Sequence, residues 1–396
     1  MRNLDWLPAR GKSSRQSQSG RLRYGVGMSE GRRVVLLGAG HAHLYTLRRA
    51  DEFIRRGAKL IAIAPEQFWY SGLATGILGG VYRPGLDQVD VERLVRGAGG
   101  SFILDRAIGF NLAEKTVILE RNGPMKFDLL SLNLGSQAPL LPGERGVTNA
   151  FSVKPIERLW RLREELERQF DQARGRIVRV VVAGAGVSAC ELAANMFQLA
   201  KRRGGVTDIS VCGGAHPLQQ LPAAAAKRVI AKFESDGIHL VAARVMRIER
   251  DAAILDQGER RPFDVFVNAT GLQPANIICA TGLATDTDGA LIVDETLRSS
   301  DNPLVFGAGD CIAFKGHALP RIGVYAIRQA PVLHQNLLAA LTGSKLTRFK
   351  PQKHYLWIMN FGDGTGLAVR GGLFWQGRLA FLLKDWIDRR FLRKQQ

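Results

Sequence analysis

The chain has 396 residues, of which 46% are hydrophobic and 23% charged, and its formal net charge is +19. This length is too great for one compact core and predicts two or three domains. No run reaches the roughly 18 apolar residues that cross a bilayer, so no membrane-spanning helix is predicted. The positive charge would suit nucleic acid, an anionic membrane or anionic small molecules. Because no basic cluster with interleaved aromatic residues is found, we predict no nucleic-acid partner.

Residues 1–27 are rich in arginine, serine and glycine, and Asp5 is their only acidic residue. Such a segment cannot bury enough apolar surface to fold, so we predict a disordered extension. It lacks the apolar core of a secretory signal. Met28 stands just before the first apolar strand and is the favoured start of translation, with a transit peptide as the alternative.

Two similar units follow, each with an apolar strand, a glycine-rich turn, a helix rich in alanine and leucine, and a second strand. The strands are predicted at 33–37 and 59–63, and again at 180–182 and 209–211. Short continuous apolar runs are typical of strands buried on both faces of a parallel sheet. The sequence therefore predicts an α/β fold with two Rossmann-like dinucleotide-binding domains.

Other elements lie between and after these units. The sequence predicts an antiparallel strand near 116–120, a polar linker helix at 155–174 and a helix at 324–341.

The turn of each unit carries a Gly-x-Gly pattern, formed by Gly38, Gly40, Gly184 and Gly186. Glycine permits the tight turn and lets a pyrophosphate approach the unpaired N–H groups of the helix N-terminus. Two copies in the same local context are stronger evidence than one. His43 and Ala189 replace the third glycine of the fingerprint. We predict that His41 and His43 lie at the cofactor, and we predict no metal because no acidic or cysteine ligand is near them.

The acid that usually binds the adenosine ribose after the second strand is missing from both units. Ala64 and Pro65 stand there in the first unit, with Glu66 close behind, and Cys212 and Gly213 stand there in the second. The sequence therefore leaves both NADH and NADPH open. Three basic residues are candidates for contact with a 2′-phosphate, namely Lys201, Arg202 and Arg203.

The four cysteines are Cys190, Cys212, Cys279 and Cys311. None form a CxxC or CxxxxC pair, so neither a zinc site nor a redox disulfide is predicted. We expect reduced and mostly buried thiols.

An apolar strand within residues 302–310 ends in Gly-Ala-Gly-Asp. This segment resembles the second FAD fingerprint of the pyridine nucleotide–disulfide oxidoreductase superfamily. The resemblance implies that Asp310, next to Gly309, accepts hydrogen bonds from the ribityl hydroxyls of FAD.

Two more segments resemble parts of that superfamily in order and spacing. Residues 127–136, with Gly135, look like the strand that closes the flavin domain before the NAD domain begins. Residues 269–274, with Gly271, look like the return from the NAD domain. Both glycines are implied to lie at the cofactors, and the resemblance covers nearly all of 32–390.

Within the superfamily the chain is similar to type II NADH dehydrogenase-like proteins, and most similar to the flavoprotein module sometimes fused to selenide water dikinase. The segments that carry this resemblance are 70–72, 319–331 and 384–391. No dikinase domain is recognised, so selenophosphate synthesis is not expected, and demethylphylloquinone reductases are a related branch. The resemblance implies that Tyr70 and Ser71 lie near the flavin. It also implies that Glu191 lies near the nicotinamide, and that Arg328 and Gln329 lie by the flavin's pyrimidine end and the quinone site.

The C-terminal residues 374–394 are predicted to form one basic amphipathic helix. Its apolar residues recur at three–four spacing and are Leu379, Leu382, Leu383, Trp386 and Ile387. Its basic residues are Arg378, Lys384, Arg389, Arg390, Arg393 and Lys394. This pattern suits a helix lying on an anionic membrane, where quinones dissolve. Packing on the flavin domain or against a second copy in a homodimer is the alternative.

The resemblance implies an FAD-dependent enzyme that takes hydride from NAD(P)H and passes electrons to a quinone or another small acceptor. The alternatives are a sulfide:quinone reductase-like enzyme and a flavin-binding sensor or partner protein with little turnover. We expect a cytoplasmic protein, or one peripheral on the inner face of the plasma membrane. The predicted domains are an FAD-binding domain at 28–150 and 271–345, an inserted NAD(P)-binding domain at 151–270, and a C-terminal α+β interface or membrane-association region at 346–396.

Overall fold

The computed structural model describes residues 31–173 and 175–395. The disorder predicted for residues 1–27 therefore lies outside the described residues. From Arg32 onward the chain forms one compact unit. For that reason the limits of the separate domains stay a prediction.

The first part of the chain builds most of a parallel sheet. Its strands are β1 (Arg33–Leu37), β2 (Lys59–Ala64), β3 (Phe68–Trp69), β4 (Gln88–Val89), β5 (Ser101–Leu104), β6 (Ala107–Asn111), β7 (Thr116–Leu119), β8 (Gly123–Lys126), β9 (Leu129–Leu132) and β10 (Ser136–Gln137). Its helices are α1 (His41–Leu47), α2 (Ala50–Ile54), α3 (Ser71–Leu78) and α4 (Val91–Gly97). Strands β9, β1, β2 and β5 pair in parallel, in that order. Strands β6, β7 and β8 form a separate antiparallel sheet, which places the predicted strand near 116–120 correctly.

The second part repeats the pattern in a sheet of its own. Its strands are β11 (Ala150–Ser152), β12 (Ile177–Ala183), β13 (Val206–Cys212), β14 (Ile238–Val241), β15 (Val245–Ile248), β16 (Ala252–Leu255), β17 (Arg260–Pro262) and β18 (Val265–Asn268). Its helices are α5 (Arg158–Ala173), α6 (Val187–Arg203) and α7 (Ala223–Asp236). The parallel sheet has the order β11, β18, β12, β13, β14. Strands β15 to β17 are antiparallel and lie outside it.

The last part returns to the first sheet. Its elements are β19 (Gln273–Pro274), β20 (Leu291–Val293), β21 (Val305–Gly307), β22 (Ile312–Phe314), α8 (Gly323–Thr342), β23 (Leu356–Asn360), β24 (Gly366–Arg370), β25 (Leu373–Gly377) and α9 (Arg378–Arg393). Two short 3₁₀ turns occupy Asn276–Thr281 and Gly309–Cys311. Strand β21 pairs in parallel with β9, so the first sheet is completed only after the second has been formed. The predicted α/β fold is confirmed.

Burial explains why the apolar runs form these strands. Val34, Val35 and Leu36 in β1 are 0% exposed, as expected for a strand covered on both faces. Full burial of each such side chain stabilises the fold by about 1.5–3 kcal/mol.

The prediction of one helix over 374–394 is wrong at its start. Strand β25 comes first and pairs antiparallel with β24, and Gly377, with φ +132°, separates the strand from α9. The run Leu373, Phe374 and Trp375 suits a strand better than a helix, because aromatic side chains pack well on a pleated surface.

Candidate functional site

The first glycine turn is shaped by close contact with Asn133. Gly38 has φ +83°, and a Cβ on it would lie 2.3 Å from the Asn133 backbone oxygen. A Cβ on Gly40 would lie 2.4 Å from the Asn133 Oδ1 atom. Both distances are shorter than real Cβ contacts, so the turn between β1 and α1 accepts only glycine at these positions.

Asn133 is a site residue that the sequence reasoning did not single out. Its Oδ1 accepts hydrogen bonds from the backbone N–H groups of Ala42 (3.1 Å) and His43 (3.3 Å). Its Nδ2 donates to the Ala308 carbonyl at 2.7 Å. Asn133 thus joins the first glycine turn to the Gly-Ala-Gly-Asp segment. The sequence feature that could have identified Asn133 is its position as a polar residue directly after the apolar strand β9.

His43 is buried, and both of its ring nitrogens contact protein atoms. Nδ1 lies 2.6 Å from the Gly38 carbonyl oxygen, and Nε2 lies 2.8 Å from the Ser131 hydroxyl. Burial lowers the pKa of His43 to about 4, so the ring is neutral at physiological pH. His43, which stands where the fingerprint has its third glycine, thus connects the glycine turn to Ser131 of β9 through hydrogen bonds.

His41 lies at the start of α1 among aromatic rings. Its ring centroid is 4.8 Å from that of Phe68 and 5.6 Å from that of Tyr70. Burial and, to a smaller extent, the positive charge of Lys154 together lower the pKa of His41 to about 3. His41 also faces the start of α8, since a Cβ on Gly323 would lie 3.5 Å from its Nε2 atom.

Ser71 and His41 both lie close to Gly323, so they are neighbours. The Ser71 Oγ atom would lie 3.8 Å from a Cβ on Gly323. Two predicted site residues, one from α1 and one from α3, therefore meet at the N-terminus of α8.

Asp310 lies where three parts of the chain meet. Its Oδ2 accepts a hydrogen bond from the Ser136 hydroxyl at 2.7 Å, next to Gly135 with φ +69°. The Lys154 Nζ atom, which follows β11, lies 3.9 Å from the same oxygen. No described residue donates a hydrogen bond to Asp310 Oδ1. The sequence reasoning missed both Ser136 and Lys154.

Gln329 is 1% exposed and its Oε1 accepts a hydrogen bond from the Gly309 N–H at 2.7 Å. It therefore holds the Gly-Ala-Gly-Asp turn from α8. Its neighbour Arg328 is partly exposed, and its side chain has no hydrogen bond or ion pair with the described residues.

The second glycine turn repeats the geometry of the first. Gly184 has φ +107°, and a Cβ on it would lie 2.3 Å from the Ala269 backbone oxygen. Gly186 faces Gln220, whose Nε2 would be 3.4 Å from an added Cβ, and Gly271 has φ +143° close by in sequence to Ala269. In each unit the first glycine thus packs on the carbonyl that ends the neighbouring strand.

Glu191, in α6, belongs to a buried charged network. The Thr75 hydroxyl of α3 donates to Glu191 Oε1 at 2.7 Å. Burial raises the pKa of Glu191, partly offset by the positive charge of Lys384. Burial is the largest single effect on Lys384 and disfavours its charged form, but the combined attraction of the neighbouring carboxylates, chiefly Asp388, outweighs burial and raises the pKa of Lys384.

Lys384 and Asp388, both in α9, extend this network to Tyr70. The Lys384 Nζ atom lies 2.6 Å from Asp388 Oδ2 and also donates to the Gly72 carbonyl. The Tyr70 hydroxyl donates to Asp388 Oδ1 at 2.8 Å. Burial, together with Asp388, raises the pKa of Tyr70, so the phenol stays neutral. We name Tyr70, Glu191, Lys384 and Asp388 the junction network, because it joins α3, α6 and α9.

The three basic residues expected near a 2′-phosphate lie at the wrong end of α6. The helix has 17 residues, so its last turn is roughly 25 Å from the glycine turn. Arg202 donates to the Gly79 and Gly362 carbonyls, and Arg203 pairs with Glu167 at 3.4 Å. Lys201 stacks over the Phe197 ring.

The described residues contain neither a metal-binding cluster nor a membrane-spanning helix. No three His, Cys, Asp or Glu side chains there are grouped so that they could hold a metal ion. No helix within 31–173 or 175–395 is both long and apolar enough to span a bilayer.

Residues 32–335 match the pyridine nucleotide-disulphide oxidoreductase family. The chain belongs to this family. The resemblance inferred from the glycine turns and the Gly-Ala-Gly-Asp segment is confirmed by this match.

Alignments with individual relatives cover most of this chain. It is 24% identical to ferroptosis suppressor protein 1 of Xenopus tropicalis, over 86% of this chain and 90% of that protein. It is also 24% identical to alternative NAD(P)H-ubiquinone oxidoreductase C1, chloroplastic/mitochondrial, of Arabidopsis thaliana, over 81% of this chain and 69% of that protein. The solved structure of the sulfide:quinone oxidoreductase from Aquifex aeolicus has a TM-score of 0.76 and 16% identity, and the match covers 92% of this chain and 91% of that one. This last likeness shows a shared fold.

Proposed function

We propose that this protein is an FAD-dependent oxidoreductase that passes electrons from NAD(P)H to a quinone. The observation that carries the proposal is the junction network, which lies between two dinucleotide-type turns and supplies proton-carrying groups. Family membership and the Arabidopsis relative, named for NAD(P)H and ubiquinone, support the same reaction class.

The residues around the first turn fit FAD. Gly38 and Gly40 leave the backbone open to a pyrophosphate, and Lys154 adds a positive charge beside Asp310. Asp310 Oδ1, which accepts no hydrogen bond from a described residue, supports the proposal that this carboxylate accepts one from a ribityl hydroxyl of bound FAD. His41 and Ser71 line the space in front of α8. When bound, FAD accepts a hydride from the nicotinamide and passes two electrons on to the quinone.

The residues around the second turn fit NAD(P)H. Gly184 and Gly186 give the same close approach to a pyrophosphate at the N-terminus of α6. Gly271 follows the strand that packs on this turn. Glu191, in the second turn of α6, is the member of the junction network that lies on the helix following this glycine turn.

The junction network handles the protons of the reaction. A quinone takes up two electrons and two protons to become a quinol. Lys384, whose protonated form is stabilised by its close contact with Asp388, donates a proton from Nζ to a quinone oxygen. Glu191, whose pKa burial raises, holds a proton that returns to Lys384. Arg328, which has no partner among the described residues, would supply positive charge to the pyrimidine end of the flavin when FAD is bound.

The exposed face of α9 supports membrane association. Leu379 is 76% exposed, Leu382 57% and Trp386 52%, and all three lie on the helix that carries Lys384. Apolar side chains within a basic helix insert at the surface of an anionic membrane. A lipid-soluble quinone would then reach the junction network directly from the bilayer. Homodimer formation and location at the inner face of the plasma membrane stay predictions.

The thiols do not favour the sulfide:quinone reductase alternative. Sulfur transfer needs reactive thiolates, yet Cys190, Cys212 and Cys311 are buried. Burial raises the pKa of Cys190 and of Cys311 to about 12, and that of Cys212 to about 11. Cys279 is exposed and unpaired, and no disulfide joins the described cysteines.

Steady-state turnover tests the proposed function. We expect the FAD-loaded protein to oxidise NAD(P)H with a short-chain ubiquinone as acceptor, without added sulfide. Lys384→Met should lower kcat about 100-fold, because the proton donor is lost. Lys227→Met, a change of an exposed lysine in α7, is the matched control and should keep full turnover. If the unaltered protein turned over neither NADH nor NADPH, the alternative of a flavin-binding sensor or partner protein would be favoured.

A further inference from the structure

The loop after β13 has no acid where the adenosine ribose of a bound nucleotide would lie. Cys212 is 0% exposed and points into the core. A Cβ on Gly213 would lie 2.2 Å from the Ala185 Cβ, so Gly213 packs against the second glycine turn and accepts no side chain. An aspartate or glutamate at this point hydrogen-bonds the ribose 2′-hydroxyl in NAD-specific proteins. Here that hydrogen bond has no acceptor.

An arginine occupies the same corner of the second sheet. Strand β14 pairs with β13, so Val241 lies opposite Cys212, and the Gly213 N–H donates to the Val241 carbonyl at 3.0 Å. The short connection after β14 carries Arg244 back across the end of β13. The Arg244 Nε and Nη2 atoms lie 3.1 and 3.3 Å from the Cβ position of Gly214.

The Arg244 guanidinium does not stabilise the fold through a polar interaction with the described residues. It is exposed and forms no ion pair or hydrogen bond with the described residues. Most of the other arginines in this part of the chain are paired, for example Arg247 with Glu249 at 2.7 Å and Arg260 with Asp251 at 2.6 Å. A second basic group, His216, lies exposed in the loop after β13.

We propose that Arg244 binds the 2′-phosphate of NADPH and makes this protein prefer NADPH to NADH. The inference rests on the proposed function, because it assumes that the second turn holds a nicotinamide nucleotide. A guanidinium binds a phosphate through two parallel charge-assisted hydrogen bonds, whereas the 2′-hydroxyl of NADH offers it only a neutral partner. The missing acid removes the repulsion that would exclude a phosphate.

Binding of two redox-inert ligands to the FAD-loaded protein tests this inference by calorimetry. ADP-ribose and 2′-phospho-ADP-ribose differ only in the phosphate, and neither carries a nicotinamide. We expect the phosphorylated ligand to bind at least tenfold more tightly. Arg244→Ala should weaken its binding at least tenfold more than that of ADP-ribose, while Arg247→Ala should preserve the difference between the ligands.

The converse variant Gly214→Asp tests the same contact without removing Arg244. Gly214 has ordinary backbone angles, and an aspartate there would lie against the guanidinium and neutralise it. We expect this variant to lose most of the preference for the phosphorylated ligand. Equal affinity of the unaltered protein for the two ligands would overturn the inference and leave the proposed function standing. Binding of neither ligand would overturn the nucleotide site on which both depend.

Discussion

His43 and Asn133 show how two polar side chains shape an otherwise apolar turn. His43 bonds the Gly38 carbonyl and the Ser131 hydroxyl, while Asn133 accepts from the start of α1 and donates to Ala308. Buried polar groups are stable only when their hydrogen bonds are satisfied. These bonds therefore place the turn and the Gly-Ala-Gly-Asp segment on either side of the proposed FAD site.

At the residue scale, Gly40→Ala should release the flavin. The added Cβ would lie 2.4 Å from Asn133 Oδ1, so Asn133 must move and its bonds to α1 are strained. We expect loss of most bound FAD and a destabilisation of about 1–3 kcal/mol. The flavin-to-protein absorbance ratio and urea unfolding measure the two effects. Gly97→Ala, at a helical position with no atom within 4 Å of the new Cβ, is the control and should retain FAD.

Asp87 predicts a pH dependence of stability. It is 1% exposed, and only weak interactions with the Trp160 side chain and with its own backbone offset the burial of its carboxylate. Burial raises its pKa from 3.8 to about 6. A raised pKa means that the folded state keeps the proton, so stability is lost as pH rises from about 4 to about 6, by ~3 kcal/mol in total.

Asp87→Asn should remove this loss. We expect the variant to be more stable than the unaltered protein at pH 8 and to differ little from it at pH 4, as measured by urea unfolding. Asp171→Asn, at an exposed site in α5, should leave the pH profile unchanged. If the stability of Asp87→Asn fell with rising pH as much as that of the unaltered protein, ionisation of Asp87 would not be the cause of the loss of stability.

At the scale of elements, α9 has two faces with different roles. Ala380, Asp388 and Leu392 are buried against the rest of the protein. Tyr70 stacks on Phe391 at a centroid distance of 4.5 Å, so α9 also contacts a residue of the proposed flavin site. The opposite face exposes large apolar side chains. A single helix thus connects the proposed membrane surface to the junction network.

The double substitution Leu379→Glu and Leu382→Glu should weaken membrane binding. We expect the unaltered protein to sediment with vesicles that contain anionic lipid, and the variant to remain largely in the supernatant, because two apolar contacts are replaced by charges that the lipid repels. Leu104→Glu, which alters an exposed leucine of β5, should sediment like the unaltered protein. Equal sedimentation of the double variant would mean that α9 does not bind the membrane.

The elements that the sequence predicted well are those with strong local patterns. Strand β1 has the predicted limits, and the helix predicted at 324–341 is observed as Gly323–Thr342. Strand β25 was missed because its apolar residues merge with those of α9, and only pairing with β24 distinguishes them. Local periodicity carries no information about such a pairing.

At the scale of the whole molecule, the site depends on contacts between distant parts of the chain. The two glycine turns could be read from sequence because Gly-x-Gly directly after an apolar strand is a local pattern, although the contacts that require glycine come from the distant Asn133 and Ala269. Tyr70 and Asp388 are 318 residues apart, and their hydrogen bond exists only because α9 returns to α3. Arg244 was missed for the same reason, since it reaches Gly214 through the pairing of β14 with β13.

The repeated geometry of the turns supports one molecular account. Gly38 packs on the Asn133 carbonyl, and Gly184 packs on the Ala269 carbonyl, at the same distance of 2.3 Å from the Cβ position. Both turns therefore present backbone to a ligand in the same way. Under the proposed function, electrons would enter through the nucleotide at the second turn and leave at the junction network, where protons are available.

Anaerobic double-mixing stopped-flow spectroscopy of the FAD-loaded protein measures reduction of the flavin by the nucleotide and its reoxidation by the quinone in one experiment. The protein is mixed with a stoichiometric amount of NADPH, and after the flavin is reduced it is mixed with a short-chain ubiquinone. The account predicts rapid loss of the oxidised-flavin absorbance in the first step and its full return in the second. A flavin that neither NADPH nor NADH bleaches, or a reduced flavin that the quinone does not reoxidise, would contradict it.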